Sequence, residues 1–338
     1  MRPAATLGKD NVMSREAGRG TIKAICISPE RGTAKRPVDE ACFIAGHGIE
    51  NDAHAGSWHR QVSLLSYDKV KAFNEKGAGV SAGDFGENLL VEGIDFSTLP
   101  VDTILQAGDV TLRLTQTGKD CHSHCAIYER VGECIMPKEG VFAEVLTGGR
   151  IRKGEEILAT LPDPARPFSA AVITLSDKGA KGERKDESGP AAAQMLIEAG
   201  FEVRETLLLP DEPALLEKEL KRLADQRHIE LVLTSGGTGF SLRDKTPEAT
   251  LAVADRNAPG IAEYMRMRSM QITDRAMLSR GVSVIRKGTL IVNLPGSPKA
   301  VRENLGFILP ALDHGLAILR GSASECAADN KQEGQTGK

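Results

Sequence analysis

Along the first half of the chain, apolar and polar residues alternate over short stretches that glycine and aspartate interrupt. Val110, Leu112 and Leu114 are apolar between Thr111, Arg113 and Thr115, the period of two that turns one face of a strand inward. Segments 61–65 and 103–106 read the same way, and turns fall at Gly83-Asp84-Phe85-Gly86 and Ala107-Gly108-Asp109. A helix is predicted over 66–75. The expectation for 21–160 is a β-rich domain built as a small barrel.

The pattern changes after 161–168, where Pro162, Pro164 and Pro167 remove three backbone donors and make a stiff extended connector. From there, apolar runs alternate with helical periods. Strands are predicted at 170–175, 201–209, 230–234 and 288–294, and helices at 190–199, 212–227 and 246–254, with a further helix at the end. Strands and helices in alternation call for a mostly parallel sheet with helices on both faces, so 169–321 is expected to be an α/β domain. The polar ends, 1–20 and 322–338, are predicted to be disordered.

With 338 residues, two globular domains are the natural division. A formal net charge of −3 gives no basic surplus for a nucleic-acid partner. The opening segment lacks the apolar core of a signal peptide, and no uncharged apolar run approaches a membrane span; a cytoplasmic, soluble chain is expected. Of six cysteines, Cys121, Cys125 and Cys134 are crowded together. That is not the spread of a secreted disulfide framework, and they are expected to be thiols or ligands.

Ligands of open α/β sheets sit at the carboxyl ends of the strands. After the 230–234 strand comes Thr234-Ser235-Gly236-Gly237-Thr238-Gly239, where glycines let N–H groups form an anion nest; the plain alternative is a tight turn. Next is Arg243-Asp244-Lys245-Thr246-Pro247-Glu248, with Thr246 expected at the N-cap and Pro247 at the first helical position. A carboxylate at Asp244, on the rim of a phosphate nest, requires a divalent cation between them, and Mg²⁺ suits one or two carboxylates plus phosphates. Asp211, in Leu209-Pro210-Asp211-Glu212, either supplies the second carboxylate or caps the 212–227 helix.

These runs, followed by Asn293-Leu294-Pro295-Gly296-Ser297-Pro298-Lys299-Ala300, resemble the molybdopterin adenylyltransferase (MogA/MoaB) family over about 168–320. The resemblance implies that Asp211 and Asp244 are the essential carboxylates organising Mg²⁺ and ATP. It implies that Ser235 to Gly239 and Pro295, Gly296, Ser297 and Lys299 line the pterin and nucleotide pocket. Ser176, Asp186, Ser188, Gly189 and Thr246 are expected to border the ligand. The implied reaction joins molybdopterin to AMP taken from ATP, with diphosphate as the other product, in a homo-oligomer that is a trimer or larger.

In the first half, Gly46-His47-Gly48-Ile49-Glu50-Asn51-Asp52-Ala53-His54, then Arg60-Gln61-Val62-Ser63-Leu64-Leu65, then Gly83-Asp84-Phe85-Gly86-Glu87-Asn88-Leu89 resemble a MOSC domain. That resemblance implies a β-rich fold that handles molybdenum cofactor or sulfur through one late cysteine. Threading the pattern puts it at Cys121, with Cys125 as the competing thiol. Lys119, His122 and His124 are placed to favour thiolate, and His54 and Arg60 to line an anionic-ligand pocket. The molybdenum-insertion enzyme or a sulfur donor is the implied partner. Two other readings stay open: a non-catalytic cofactor carrier, and a Cys/His metal-binding regulatory module fused to a nucleotide-binding domain.

Overall fold

The computed structural model describes residues 15–119 and 126–321. The cysteines and histidines at 121, 122, 124 and 125, and the segment 322–338, lie outside the described residues. The chain divides between Asp163 and Pro164 into two compact units. Among the described residues, no helix is long and apolar enough to cross a membrane.

In the N-terminal unit seven strands close a barrel. Their order is Glu156–Thr160, Ile104–Ala107, Val110–Thr117, Val141–Thr147, Val62–Ser66, Leu89–Glu92 and Glu16–Ile27, with the last pairing back onto the first. Neighbours are antiparallel except Val62–Ser66 with Leu89–Glu92. The alternation at Val110, Leu112 and Leu114 points inward, where these side chains are buried with Ile22, Leu64 and Leu105. Outside the wall, the helix Tyr67–Glu75 lays Val70 and Phe73 against Leu65, Leu90 and Phe142.

Of the 1–20 expected to be disordered, 1–14 lie outside the described residues, and for the remainder the expectation is corrected, because the first strand already runs from Glu16. Gly18, Arg19 and Gly20 pair with Ala159, Leu158 and Ile157. Gly20 sits so close to the neighbouring strand that a Cβ would lie 2.5 Å from the Glu92 carbonyl oxygen. Two glycines and a charge read locally as tail, yet pairing with Glu156–Thr160 outweighs their poor strand propensity.

The C-terminal unit is a six-stranded sheet ordered Glu202–Leu209, Ser169–Leu175, Leu231–Ser235, Thr289–Leu294, Ser283–Arg286, Arg256–Asn257. The first four strands are parallel, and Ser283–Arg286 runs antiparallel to both its neighbours, Thr289–Leu294 and Arg256–Asn257. Ser169–Leu175 and Leu231–Ser235 are buried along their whole length, as strands covered on both faces must be. On one face, Leu196, Met265, Leu305 and Leu312, from the helices Ser188–Glu198, Pro259–Met270 and Pro298–Arg320, pack on Val172, Leu233 and Val292. On the other, Leu216 and Leu220 of Pro213–Asp225 and Ala249 of Thr246–Ala252 cover Ile173, Val232 and Ile291.

Two cap expectations change. The helix begins at Thr246 itself, after Lys245 at the cap position and without a side-chain cap bond. Likewise Glu212, not Asp211, precedes Pro213–Asp225, again with no cap bond. Both Thr246 and Asp211 are thereby left for other contacts. At the start of this unit, Arg320 bonds the Glu230 carboxylate and the carbonyls of Pro164, Arg166 and Pro167, and its guanidinium lies 3.9 Å from the Phe168 ring centre.

Candidate active site of the C-terminal unit

The parallel strands end at Leu175, Leu209, Ser235 and Leu294. Beyond these ends lies a cavity of about 310 Å³ whose lining includes Asp211, Asp244, Gly236, Gly237, Gly296 and Ser297. The two carboxylates expected from sequence thus face one space, against the glycine loop. A second cavity, of about 300 Å³ and more apolar, is lined by Thr238, Gly239, Pro295, Met265, Leu278 and Asn304. The 236–239 loop and the 295–298 turn contribute to both.

The loop is held open for ligand by long-range bonds. Gly236 donates to the Leu294 carbonyl at 3.3 Å, while Thr246 N–H donates to the Gly237 carbonyl at 3.2 Å. Arg280 donates its N–H to the Thr238 carbonyl at 2.9 Å and its Nε to the Gly239 carbonyl at 2.7 Å, and also bonds the Asp244 carbonyl. The loop carbonyls are thereby turned away. The N–H groups of Gly237, Thr238 and Gly239 make no hydrogen bond among the described residues, the arrangement of an anion nest. Gly237 has φ +64°, and a Cβ there would overlap the Thr246 hydroxyl and approach Asp211 Oδ1 at 3.5 Å. Ser235 Oγ donates to the Pro295 carbonyl at 3.0 Å, binding the loop to the turn.

Asp211 is oriented by Asp177. Each accepts the other's backbone N–H at 3.0 Å. Arg243 fixes Asp177 through two bonds of 3.1 and 2.8 Å and reaches Glu212 at 2.9 Å. Arg243 holds the Asp177 carboxyl below its usual range. Burial pushes the Asp211 carboxyl up, and the negative charges of Asp177 and Asp244 add to this. Asp244 lies beside Gly239, whose Cβ would sit 2.8 Å from Asp244 Oδ2. Two carboxylates that line one cavity and oppose each other's ionisation are stabilised by a cation between them. Among the described residues no group of three or more acidic, His or Cys side chains is gathered to hold a metal. The donor set therefore fits a Mg²⁺ that completes its shell with phosphate oxygens and water rather than a cage made of protein.

Other expected residues have local duties. Ser176 Oγ and Ser297 Oγ accept N–H groups of Gly179 and Ala300 at the starts of their helices. Asp186 Oδ1 accepts Ser188 N–H, Ser188 Oγ–H and Gly189 N–H, each at 3.0 Å. All these except Gly189 and Ala300 line the first cavity. Lys299 does not: its side chain is 80% exposed and lies 3.8 Å from Glu303. The cations that do line it are Arg184 and Lys185, which sequence reading passed over because 181–187 looks like a solvated charged loop. Arg280 also went unnoticed, since nothing local marks an arginine whose partners are 32 to 41 residues away.

In the N-terminal unit, Arg60 Nε and His59 Nε2 both lie 3.0 Å from the buried Gln116 Oε1, and the Arg60 guanidinium is 5.1 Å from the Phe142 ring centre. His54 Nδ1 is buried 3.8 Å from Asp52 Oδ2, without a hydrogen-bond partner. Asp52 itself is locked by Lys35, whose Nζ lies 2.9 Å from both carboxylate oxygens.

A mostly parallel sheet with a glycine nest and two carboxylates at its strand ends has the features of an α/β ligand-binding domain, here following a β-barrel domain in the sequence. A family model for a probable molybdopterin binding domain matches residues 171–314, and one for the MOSC domain matches 51–158. The molybdopterin adenylyltransferase of Escherichia coli (strain K12) is 48% identical over 137 residues, covering 40% of this chain and 70% of that protein. The Helicobacter pylori molybdopterin adenylyltransferase is 39% identical over 163 residues, 48% of this chain and 93% of that protein. A solved structure of the molybdopterin biosynthesis enzyme MoaB from Thermus thermophilus is 47% identical, covers 46% of this chain and 97% of its own, and has a TM-score of 0.44. The chain belongs to the molybdopterin adenylyltransferase (MogA/MoaB) family through its C-terminal domain, joined to an N-terminal MOSC domain, and so to molybdenum cofactor biosynthesis.

Proposed function

We propose that the C-terminal unit adenylylates molybdopterin with Mg-ATP and that the MOSC unit binds molybdenum cofactor or carries sulfur for it. The observation that carries the first part is that Asp211 and Asp244 line one cavity together with Gly236 and Gly237. A phosphate oxygen of molybdopterin attacks the α-phosphorus of ATP; the bond from that phosphorus to the bridging β-oxygen breaks, and diphosphate leaves with the electron pair. A phosphoanhydride results, and no protein nucleophile is consumed. Asp211 and Asp244 are the residues to hold Mg²⁺, which when bound supplies neutralisation of phosphate charge. The free N–H groups of Gly237, Thr238 and Gly239 donate to phosphate oxygens, and Arg184 and Lys185 add positive charge at the mouth. These groups act by positioning and preorganised electrostatics.

The test is incubation of the full chain with molybdopterin, Mg-ATP and inorganic pyrophosphatase, followed by mass analysis of the pterin. Adenylylated molybdopterin from wild type and none from Asp244→Asn supports the reading. A wild type that binds molybdopterin but never forms the adduct makes this domain a carrier instead. For the MOSC unit, the acting thiol is Cys121 or Cys125; a persulfide found by mass on either after exposure to a sulfur donor supports sulfur transfer.

A further inference from the structure

Asp211 offers a cation one oxygen rather than two. Its Oδ2 accepts the Asp177 N–H at 3.0 Å. Its Oδ1 makes no hydrogen bond among the described residues and lies on the nest side, 3.5 Å from where a Cβ on Gly237 would sit. A cation sharing Oδ2 would meet the positive end of the Asp177 N–H dipole. The carboxylate is kept in this attitude by a return bond, since Asp177 Oδ1 accepts the Asp211 N–H at 3.0 Å. That same Asp177 Oδ1 accepts Arg243 Nη2 at 2.8 Å, and Arg243 Nε reaches Asp177 Oδ2 at 3.1 Å.

Arg243 reaches further than Asp177. Its Nη1 bonds Glu212, the chain neighbour of Asp211, at 2.9 Å, and Arg243 is itself the chain neighbour of Asp244. One guanidinium therefore ties together the two loops that carry the carboxylates. Asp244 is pinned on its own side: its N–H donates to the Ser241 carbonyl at 3.0 Å and its carbonyl accepts from Arg280. Single exposed ion pairs hold little, but a bidentate arginine within a network does fix side chains. Arg243 lines a narrow crevice with Asp211 and Thr246 and is not part of the lining of the larger cavity, so it acts through Asp211 and not on a ligand there.

Mg²⁺ takes oxygens at about 2.0–2.1 Å in near-octahedral array, whereas Ca²⁺ takes about six to eight at about 2.3–2.6 Å and accepts both oxygens of a carboxylate. A carboxylate limited to one oxygen, at a spacing from its partner that is fixed by bonds on both sides, favours the smaller ion. Resting on the function proposed above, we propose that Arg243 and Asp177 are positioning residues that make the site discriminate Mg-ATP from Ca-ATP. With both in place Asp211 is a one-oxygen ligand. Without either, its loop is released, the side chain turns, and both oxygens become available to a larger ion.

The test is calorimetric titration of the full chain with ATP in excess Mg²⁺ or excess Ca²⁺, with no molybdopterin present, so that binding is read and not turnover. Wild type is expected to bind Mg-ATP about tenfold more tightly than Ca-ATP, because Ca²⁺ lacks the second oxygen that Asp211 withholds. Arg243→Lys keeps the positive charge and loses the planar fork, so the ratio falls to about threefold or less. Asp177→Ala, which removes the acceptor for the Asp211 N–H, does the same. Both side chains are partly exposed, and either variant alone decides the matter should the other not fold. General damage to the loop weakens both complexes alike and leaves the ratio untouched. The inference is overturned if wild type shows no preference or if a folded variant keeps the wild-type ratio. Mg²⁺ preference without adenylylated pterin sinks only the transferase reading; adenylylated pterin from a wild type that takes Ca-ATP as readily sinks only this inference.

Discussion

Substituting alanine for Gly237 tests the geometry of the nest without replacing any charged group. The residue has φ +64°, a conformation that costs an alanine about 1–2 kcal/mol. The new methyl also overlaps the Thr246 hydroxyl at the start of Thr246–Ala252 and comes to 3.5 Å from Asp211 Oδ1. Thr246 is 3% exposed and has nowhere to retreat, so relief of the overlap adds about 1–3 kcal/mol. The total, about 2–5 kcal/mol, is set against Gly315→Ala inside Pro298–Arg320, where a Cβ meets nothing within 4 Å and a gain of about 0.5–1 kcal/mol is expected. Urea unfolding followed by far-UV circular dichroism measures both, since most of the longer helices belong to the C-terminal unit. Fluorescence of Trp58, the single tryptophan, follows the barrel. Mg-ATP affinity should fall in Gly237→Ala because the methyl displaces Thr246, two residues from Asp244, and crowds Asp211 Oδ1. A Gly237→Ala protein as stable as wild type would show that this loop does not approach Thr246 as described.

Other expectations concern the barrel and the cavity mouth. Lys35 and Asp52 form an ion pair whose side chains are 1% and 0% exposed; Lys35→Met strands a buried carboxylate and should cost about 3–5 kcal/mol, most of it recovered in Lys35→Met/Asp52→Leu, as read by Trp58 fluorescence in urea. Burial raises the Glu87 carboxyl from 4.5 to about 7. A raised acid favours the folded state while protonated, so this group's contribution is best below about pH 4.5 and declines by about 3 kcal/mol as pH rises through 7; Glu87→Gln should lose that slope in unfolding measured across this range. Replacing Arg184 and Lys185 together by alanine removes the cations lining the first cavity. The KM for ATP should rise about three- to tenfold, as two exposed charges allow, and less at high salt.

Legibility of the chain follows the range of the forces involved. Parallel strands announced themselves because both faces are covered: Ala170 to Leu175 and Leu231 to Leu233 leave no position for a polar residue facing water. That Asp211 and Asp244 share a cavity was legible because both follow strands of one parallel sheet, whose ends lie together. Glu16 to Gly20 misled because their strand partner, 157–160, is more than 130 residues away, while their own residues favour coil. Lys299 looked like a cradle residue because it follows the Pro295 turn, but the helix that starts there carries it outward, four residues from Glu303. Arg184 and Lys185 line the cavity beside strand-end residues such as Leu175 and Gly236, a proximity that no local pattern encodes.

Whether Asp211 and Asp244 bring ATP to the glycine nest through a metal is read most directly from ATP affinity with and without Mg²⁺, in wild type and in Asp211→Asn/Asp244→Asn. Wild type should bind ATP at least tenfold more tightly with Mg²⁺ than without it. The double variant should lose that dependence and bind metal-free ATP more tightly than wild type does, because two negative charges no longer oppose the phosphates. A double variant that keeps the full Mg²⁺ dependence would contradict the account.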